Sequence, residues 1–216
     1  QLTGSYYTPR VIVHFMCQEA LRHFLTEKLE SKDAKSISTT IHQFLELPPA
    51  DQLDDDQVAI LANLFSEAQA KALRQIILRC RVCDPAVGSG AFPVGMLHEI
   101  TSAVARLDVR LHGREYIRRR NYDYDLKKQV VEACLYGVDI QDQAVRLCEL
   151  RLWLSLVVDY QIDGKKPFEE AIRDIPSLPN LSYRIMRGDS LLERLFGHVV
   201  QLDKMSKDER TKELID

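Results

Sequence analysis

The chain has 216 residues, of which 45% are hydrophobic and 28% charged, and its formal net charge is −3. That length fits one domain, or one domain with a helical annex, and allows a core that needs no disulfide or metal staples. The slight acidity excludes a protein whose whole surface grips nucleic acid, and no apolar run reaches the roughly 18 residues of a membrane span.

Thr8-Pro9 predicts a helix start, with Thr8 as cap and Pro9 in the first turn, where its missing N–H costs nothing. The helix is expected to run to about Leu29 with Val11, Phe15, Leu21, Leu25 and Leu29 on one stripe. Ser31 to Thr40 reads as loop and Ile41 to Leu47 as a short helix ended by Pro48-Pro49. Asp54-Asp55-Asp56 reads as charge at the N-terminus of a second long helix, Gln57 to Leu78.

A first strand covers Arg81 to Asp84, and an amphipathic helix covers Pro93 to Leu107. Up to Ala133 the chain is polar, rich in tyrosine and arginine, and reads as loop plus helix. Its cluster of Arg114, Arg118, Arg119 and Arg120 with Tyr116, Tyr122 and Tyr124 is expected to be a solvated helix face, nucleic-acid contact being the alternative. Cys134 to Asp139 is a second strand, and Asp142 is placed to cap a helix reaching Tyr160 that is apolar nearly all round, hence buried on several sides. Asp163 to Asn180 reads as loop, Leu181 to Met186 as a third strand, and the tail beyond Leu195 as charged and helical at best.

Alternation of strand and helix predicts an α/β fold with a parallel sheet. Each strand ends in an acid (Asp84, Asp139, Asp189), which places three carboxylates along one edge, where open α/β sheets bind ligands. Between the first strand and its helix lies Asp84-Pro85-Ala86-Val87-Gly88-Ser89-Gly90-Ala91-Phe92. Gly88 and Gly90 let backbone approach a nucleotide-like ligand, while Asp84 supplies a carboxylate. The next glycine is Gly95, too late for the dinucleotide fingerprint, so the turn suits a different nucleoside ligand.

Four stretches, in order, resemble the adenine-specific DNA methyltransferases of restriction-modification and phage-defence systems, above all the large fused, Eco57I-type enzymes. They are Gly4 to Pro9 (Gly-Ser-Tyr-Tyr-Thr-Pro), Asp84 to Phe92, Tyr136 to Ile140, and Gly188-Asp189-Ser190-Leu191. The helix carrying Arg151-Leu152-Trp153-Leu154-Ser155-Leu156 is similar to that family's second crossover helix. The resemblance implies a Rossmann-like methyltransferase fold with S-adenosylmethionine as cofactor. It implies that Asp139 holds the ribose hydroxyls, that Ile140 packs on an adenine face, and that Asp189, beside Ser190 and Leu191, accepts from the adenine amino group. It implies further that Tyr7, Thr8 and Pro9 close over the methionine end, while Asp84, Pro85, Ala86, Gly88, Gly90, Ala91 and Phe92 form the cradle. Asp139 falls about 50 residues beyond Gly90, where dinucleotide folds need about 20, so the Arg106–Glu132 stretch is expected to loop out.

That family holds its flipped base with an Asn-Pro-Pro-Tyr-type motif after a fourth strand, and this sequence has none. Asn180 precedes the third strand and cannot substitute. No catalytic residue is therefore assigned, and the chain is expected to bind cofactor without transferring the methyl group unaided. The organisation expected is a helical part over residues 1–79, a cofactor half-domain over 80–195, and a polar tail over 196–216 leading toward the missing catalytic part. A start at Gln1 predicts a piece excised from a longer protein. Double-stranded DNA is the implied partner of the intact protein, the bacterial cytoplasm its location, and the first strand an open edge prone to self-association. Five cysteines, an odd number, read as reduced thiols, and Cys80 and Cys83 as strand alternation with no metal site. Two alternatives remain: a methyltransferase for RNA, protein or a small molecule, and a non-catalytic cofactor-binding or structural module.

Overall fold

A computed structural model describes residues 8–29, 34–162, 165–173, 175–176, 181, 183–191, 194–195 and 198–199. Four helices come first: α1 (Arg10–Lys28), α2 (Ala34–Leu45), α3 (Asp55–Leu64) and α4 (Glu67–Leu78). Strand β1 (Val82–Asp84) then leads into α5 (Ala91–His112), the short α6 (Arg114–Ile117), and α7 (Tyr122–Cys134). Strand β2 (Leu135–Asp139), α8 (Asp142–Val157), α9 (Phe168–Arg173) and β3 (Ile185–Arg187) follow, with a small hairpin of β4 (Arg194–Leu195) and β5 (His198–Val199).

The sheet has the order β1-β2-β3 and is parallel throughout, with Asp84 opposite Gly137 and Asp139 opposite Arg187. This is the α/β architecture with a parallel sheet expected from the alternation of elements, and it agrees with the methyltransferase-like fold that the resemblance implies. Three short strands bury little by themselves, so helices carry most of the core. Helix α5 is its axis: Met96, Leu97, Ile100, Ala103, Val104 and Leu107 are all buried, and the helix touches α1, α4, α7, α8 and both β1 and β2. At Gly95 a Cβ would lie 2.6 Å from Val13 and 2.8 Å from the Cys17 sulfur, so the glycine lets α1 lie directly on α5.

Several expectations are corrected. Pro9, not Thr8, occupies the N-cap of α1, and no side chain caps it. The buried row of that helix is Val13, Cys17, Leu21 and Leu25, while Val11 and Phe15 are 79% and 63% exposed. Val11 is two residues from Val13, about 200° around the helix, and faces away. Helix α2 begins within the stretch expected to be loop. The expected Gln57–Leu78 helix is broken at Phe65-Ser66, because Ser66 caps α4: its hydroxyl accepts the Gln69 N–H, and the Gln69 side chain accepts the Ser66 N–H at 2.9 Å. Asp54 and Gln57 cap α3 in the same way.

Helix α8 buries one side only (Val145, Cys148, Leu152, Leu156), leaving Leu147, Leu150, Leu154 and Val158 exposed. Gln141 is its N-cap, and Asp142 sits in the first turn paired with Arg146 at 2.8 Å. Strand β3 starts late because the Leu181 carbonyl accepts the N–H groups of Arg184 and Ile185 in a turn. Residues Phe168–Arg173 form a helix inside the expected loop, and His198–Val199 a strand inside the expected tail.

Only part of the arginine-tyrosine cluster forms the expected solvated face, since Arg118, Arg119 and Arg120 are exposed while its tyrosines turn inward. Tyr122 and Tyr124 are buried, the Arg119 guanidinium lies 4.0 Å from the centre of the Tyr116 ring, and Arg114 pairs with Asp55 at 2.7 Å. Beside it, Asp108 is fully buried and accepts from Arg74 at 2.6 and 3.2 Å and from the Tyr122 hydroxyl at 2.8 Å. These bonds tie α4, α5 and α7 together, and the carboxylate helps hold the Arg74 guanidinium above its usual range. Removing one partner of a buried pair strands the other's charge, so Asp108→Ala should cost about 3–5 kcal/mol in urea unfolding. A loss below about 1 kcal/mol would show the network to be dispensable.

Candidate functional site

Asp84 ends β1, and its Oδ1 accepts the Ala86 N–H at 3.0 Å. Three residues beyond Asp84, the buried Val87 donates its N–H to the Val138 carbonyl at 2.9 Å, so the turn stays stitched to β2 after β1 has ended. Gly88 and Gly90 then adopt φ of +51° and +85°, the left-handed region that side chains disfavour. Their surroundings differ. A Cβ on Gly88 would meet nothing closer than the Ala86 carbonyl at 4.0 Å, whereas one on Gly90 would lie 2.8 Å from the Cys148 sulfur. The sequence reading gave both glycines to the ligand; the space at Gly90 belongs to α8.

Asp139 faces this turn across the sheet edge. Its Oδ2 accepts the Gly88 N–H at 2.9 Å and its Oδ1 the Gln141 N–H at 2.8 Å. The Gly188 N–H donates to the Asp139 carbonyl at 2.9 Å, and the Ser190 hydroxyl to the Pro85 carbonyl at 2.7 Å. Asp189 accepts the Leu191 N–H at 3.0 Å. The three strand tips are thus linked to one another by backbone and side-chain bonds. Burial holds the Asp84 carboxyl above the usual carboxylate range; the Ala86 N–H partly offsets this, and repulsion from Asp139 adds to it.

A cleft of about 160 Å³ opens beside the turn, lined by Thr8, Val13, Met16, Asp84, Gly88, Ser89 and Phe92 among others. The N-terminus of α5 lies on it with no side-chain cap, so the Ala91 and Phe92 N–H groups have no intrahelical acceptor and the positive end of the helix faces the cleft. Two larger cavities, of about 420 and 360 Å³, lie along α5 around His98 and Ser102 and contain no residue of the glycine turn. Chemistry, not volume, singles out the smaller one. Of the other expected site residues, Pro9 is exposed at the start of α1, and Ile140 and Leu191 are 63% and 86% exposed at the tips of β2 and β3. Tyr7 lies outside the described residues.

One participant escaped the sequence reading. Arg151 on α8 donates from Nη1 to the Ser89 carbonyl at 3.0 Å and to the Ser89 hydroxyl at 3.1 Å. Its signal in the sequence is a cation set between Leu150 and Leu152 in the apolar later half of that helix.

Residues 61–209, more than half of the chain, match the family model of the MmeI DNA-methyltransferase domain. The chain belongs to this family. It is similar to the "Putative type II restriction enzyme and methyltransferase RM.MjaORFECS2P" of Methanocaldococcus jannaschii, 28% identical over 208 residues, which cover 92% of this chain and 15% of that protein. It is also similar to the type II restriction enzyme and methyltransferase RM.Eco57I of Escherichia coli, 23% identical over 182 residues, covering 79% of this chain and 17% of that protein. The chain therefore spans about a sixth of the length of these curated relatives. No solved structure is significantly similar to it. Among the described residues no helix is long and apolar enough to cross a membrane.

A carboxyl whose folded pKa lies above the ordinary 3.8 costs the folded state stability as pH rises, because the fold resists its ionisation. Asp84→Asn should therefore raise the melting temperature at neutral pH. The gain should shrink as pH falls through the raised value and vanish below about 3.8, where the acid is protonated folded or unfolded. Superimposable melting curves of the two proteins at neutral pH would show that Asp84 ionises without penalty.

Proposed function

We propose that the chain is the S-adenosylmethionine-binding part of a site-specific DNA adenine-N6 methyltransferase of a restriction-modification or related defence system. The observation that carries this reading is the linkage of three acid-bearing strand tips, Asp84, Asp139 and Asp189, at the carboxyl edge of the sheet, where Asp84 lines the cleft beside the glycine turn. Family membership and the likeness to two type II restriction enzyme and methyltransferase proteins support it.

The residues present fit the cofactor. Open space at Gly88 admits a ligand against backbone, and the uncapped start of α5 offers N–H donors to an amino-acid carboxylate. Asp139 keeps acceptor capacity beyond its two backbone bonds, since an ionised carboxylate has about four lone-pair sites, and so suits two adjacent ribose hydroxyls. Ile140, exposed just beyond it, suits an adenine face, and Asp189 the adenine amino group. Thr8 reaches the cleft from the start of α1, toward the methionine end. S-adenosylmethionine supplies a methyl group on a positively charged sulfonium, ready for in-line attack by a nitrogen. The part of this chain is to bind and orient, with carboxylates supplying a negative field beside that charge.

The base-holding residues belong to no part of this sequence, so methyl transfer is assigned to the intact protein with double-stranded DNA, in the bacterial cytoplasm. The division into a helical part over 1–79, a cofactor half-domain over 80–195 and a tail over 196–216 belongs to the same proposal. Among the described residues β1 is the outer strand of its sheet, and its edge is a site for a further strand or a second copy.

Calorimetry with S-adenosylhomocysteine tests the reading. Binding is expected, and Asp139→Ala should weaken it by about 1.5–3 kcal/mol, roughly 10- to 100-fold. Absence of binding by the parent chain would favour the non-catalytic module instead. Unchanged affinity in the variant would remove Asp139 from the ribose.

A further inference from the structure

We propose that Arg151 is a positioning residue for the cofactor turn, holding the Ser89–Gly90 peptide in the orientation that aims the start of α5 at the cleft. The inference rests on the cofactor reading above. Cys148 and Arg151 are one helical turn apart on α8 and face the glycine turn together. Cys148 presses against Gly90, where its Cα would lie 3.1 Å from an added Cβ. Arg151 donates to both oxygens of Ser89, at 3.0 and 3.1 Å.

Both ends of the Ser89–Gly90 peptide are thereby fixed. Its carbonyl accepts from Arg151, and its N–H donates to the Val87 carbonyl at 2.9 Å. Rotation of that peptide would change the φ of +85° at Gly90, the N-cap of α5, and with it the direction of the first helical amides. Asp139 and Val138 hold only the earlier half of the turn, at Gly88 and Val87. The later half is held from α8.

Arg151 lies beside Cys148 and Leu152 at the margin of the buried side of α8, half-buried, where its guanidinium reaches the turn. An arginine reaches two oxygens of one residue while keeping its charge, and a lysine places its single ammonium differently. Ser89 also lines the cleft, so the grip acts directly on a ligand-facing residue.

The test compares the 216-residue chain with Arg151→Met and Arg151→Lys by calorimetry with S-adenosylhomocysteine, amide hydrogen exchange and thermal melting. The expected result is about tenfold weaker binding in Arg151→Met, as for loss of one charge-assisted hydrogen bond, with partial rescue by lysine. Exchange should rise at residues 88–92 and stay level in α4 and α7, with little change in melting temperature. Unchanged affinity with unchanged exchange at the turn overturns the proposal. So does a general rise in exchange with a fall in melting temperature, which marks Arg151 as a plain stabiliser of α8. If the parent chain binds no S-adenosylhomocysteine, the cofactor reading fails, and local exchange at 88–92 alone decides whether Arg151 holds the turn.

Discussion

A bond between the Asp139 carboxylate and the Gly88 N–H joins residues 51 apart in sequence, and the site takes its shape from what that bond requires. It forms only if β1 and β2 run side by side, in parallel, with their tips level. The register provides this: Asp84 lies opposite Gly137, so Asp139 projects two residues further, level with the turn. Everything inserted between the strands must return the chain to that register. Helix α7 does so by running directly into β2, its last residue being Cys134 and the strand's first Leu135.

The helices bear the load that a three-stranded sheet cannot. Helix α5 begins as the wall of the cleft and continues as the axis of the core, so the position of its first turn and the stability of the molecule are one property. The buried Asp108 network anchors its far end to α4 and α7. At the near end the structure tolerates a cost instead, a partly desolvated Asp84 beside Asp139, while the left-handed turn falls to two glycines that adopt it freely. Unfavourable charge collects at sites built to bind, where a ligand's own groups relieve it.

The arginines of the insert show how composition misleads. Read as a count, four arginines and three tyrosines form a candidate nucleic-acid surface. In the folded chain Arg119 stacks on tyrosine rings, Arg114 and Arg118 pair with acids, and Tyr122 serves the buried carboxylate. Arg118 and Arg119 stay exposed all the same, so these contacts order the side chains without withdrawing them from solvent.

The alternation of strand and helix, the acid at each strand end, and the Asp84–Phe92 turn were legible in the sequence, because each is a local pattern with a period or a composition of its own. Both capping boxes were legible too, Ser66 with Gln69 as clearly as Asp54 with Gln57, yet the apolar periodicity running across Phe65 masked the break. The buried stripe of α1 was not legible, because Val11 and Phe15 are as apolar as Val13 and Cys17, and only the approach of α5 at Gly95 selects between them. Nor was the division of labour between Gly88 and Gly90, or the part of Arg151, since each depends on where α8 lies. Sequence determines which residues can make a turn; which neighbour fills the space beside it is decided when distant elements pack, since packing is a property of pairs of surfaces and neither surface records the other.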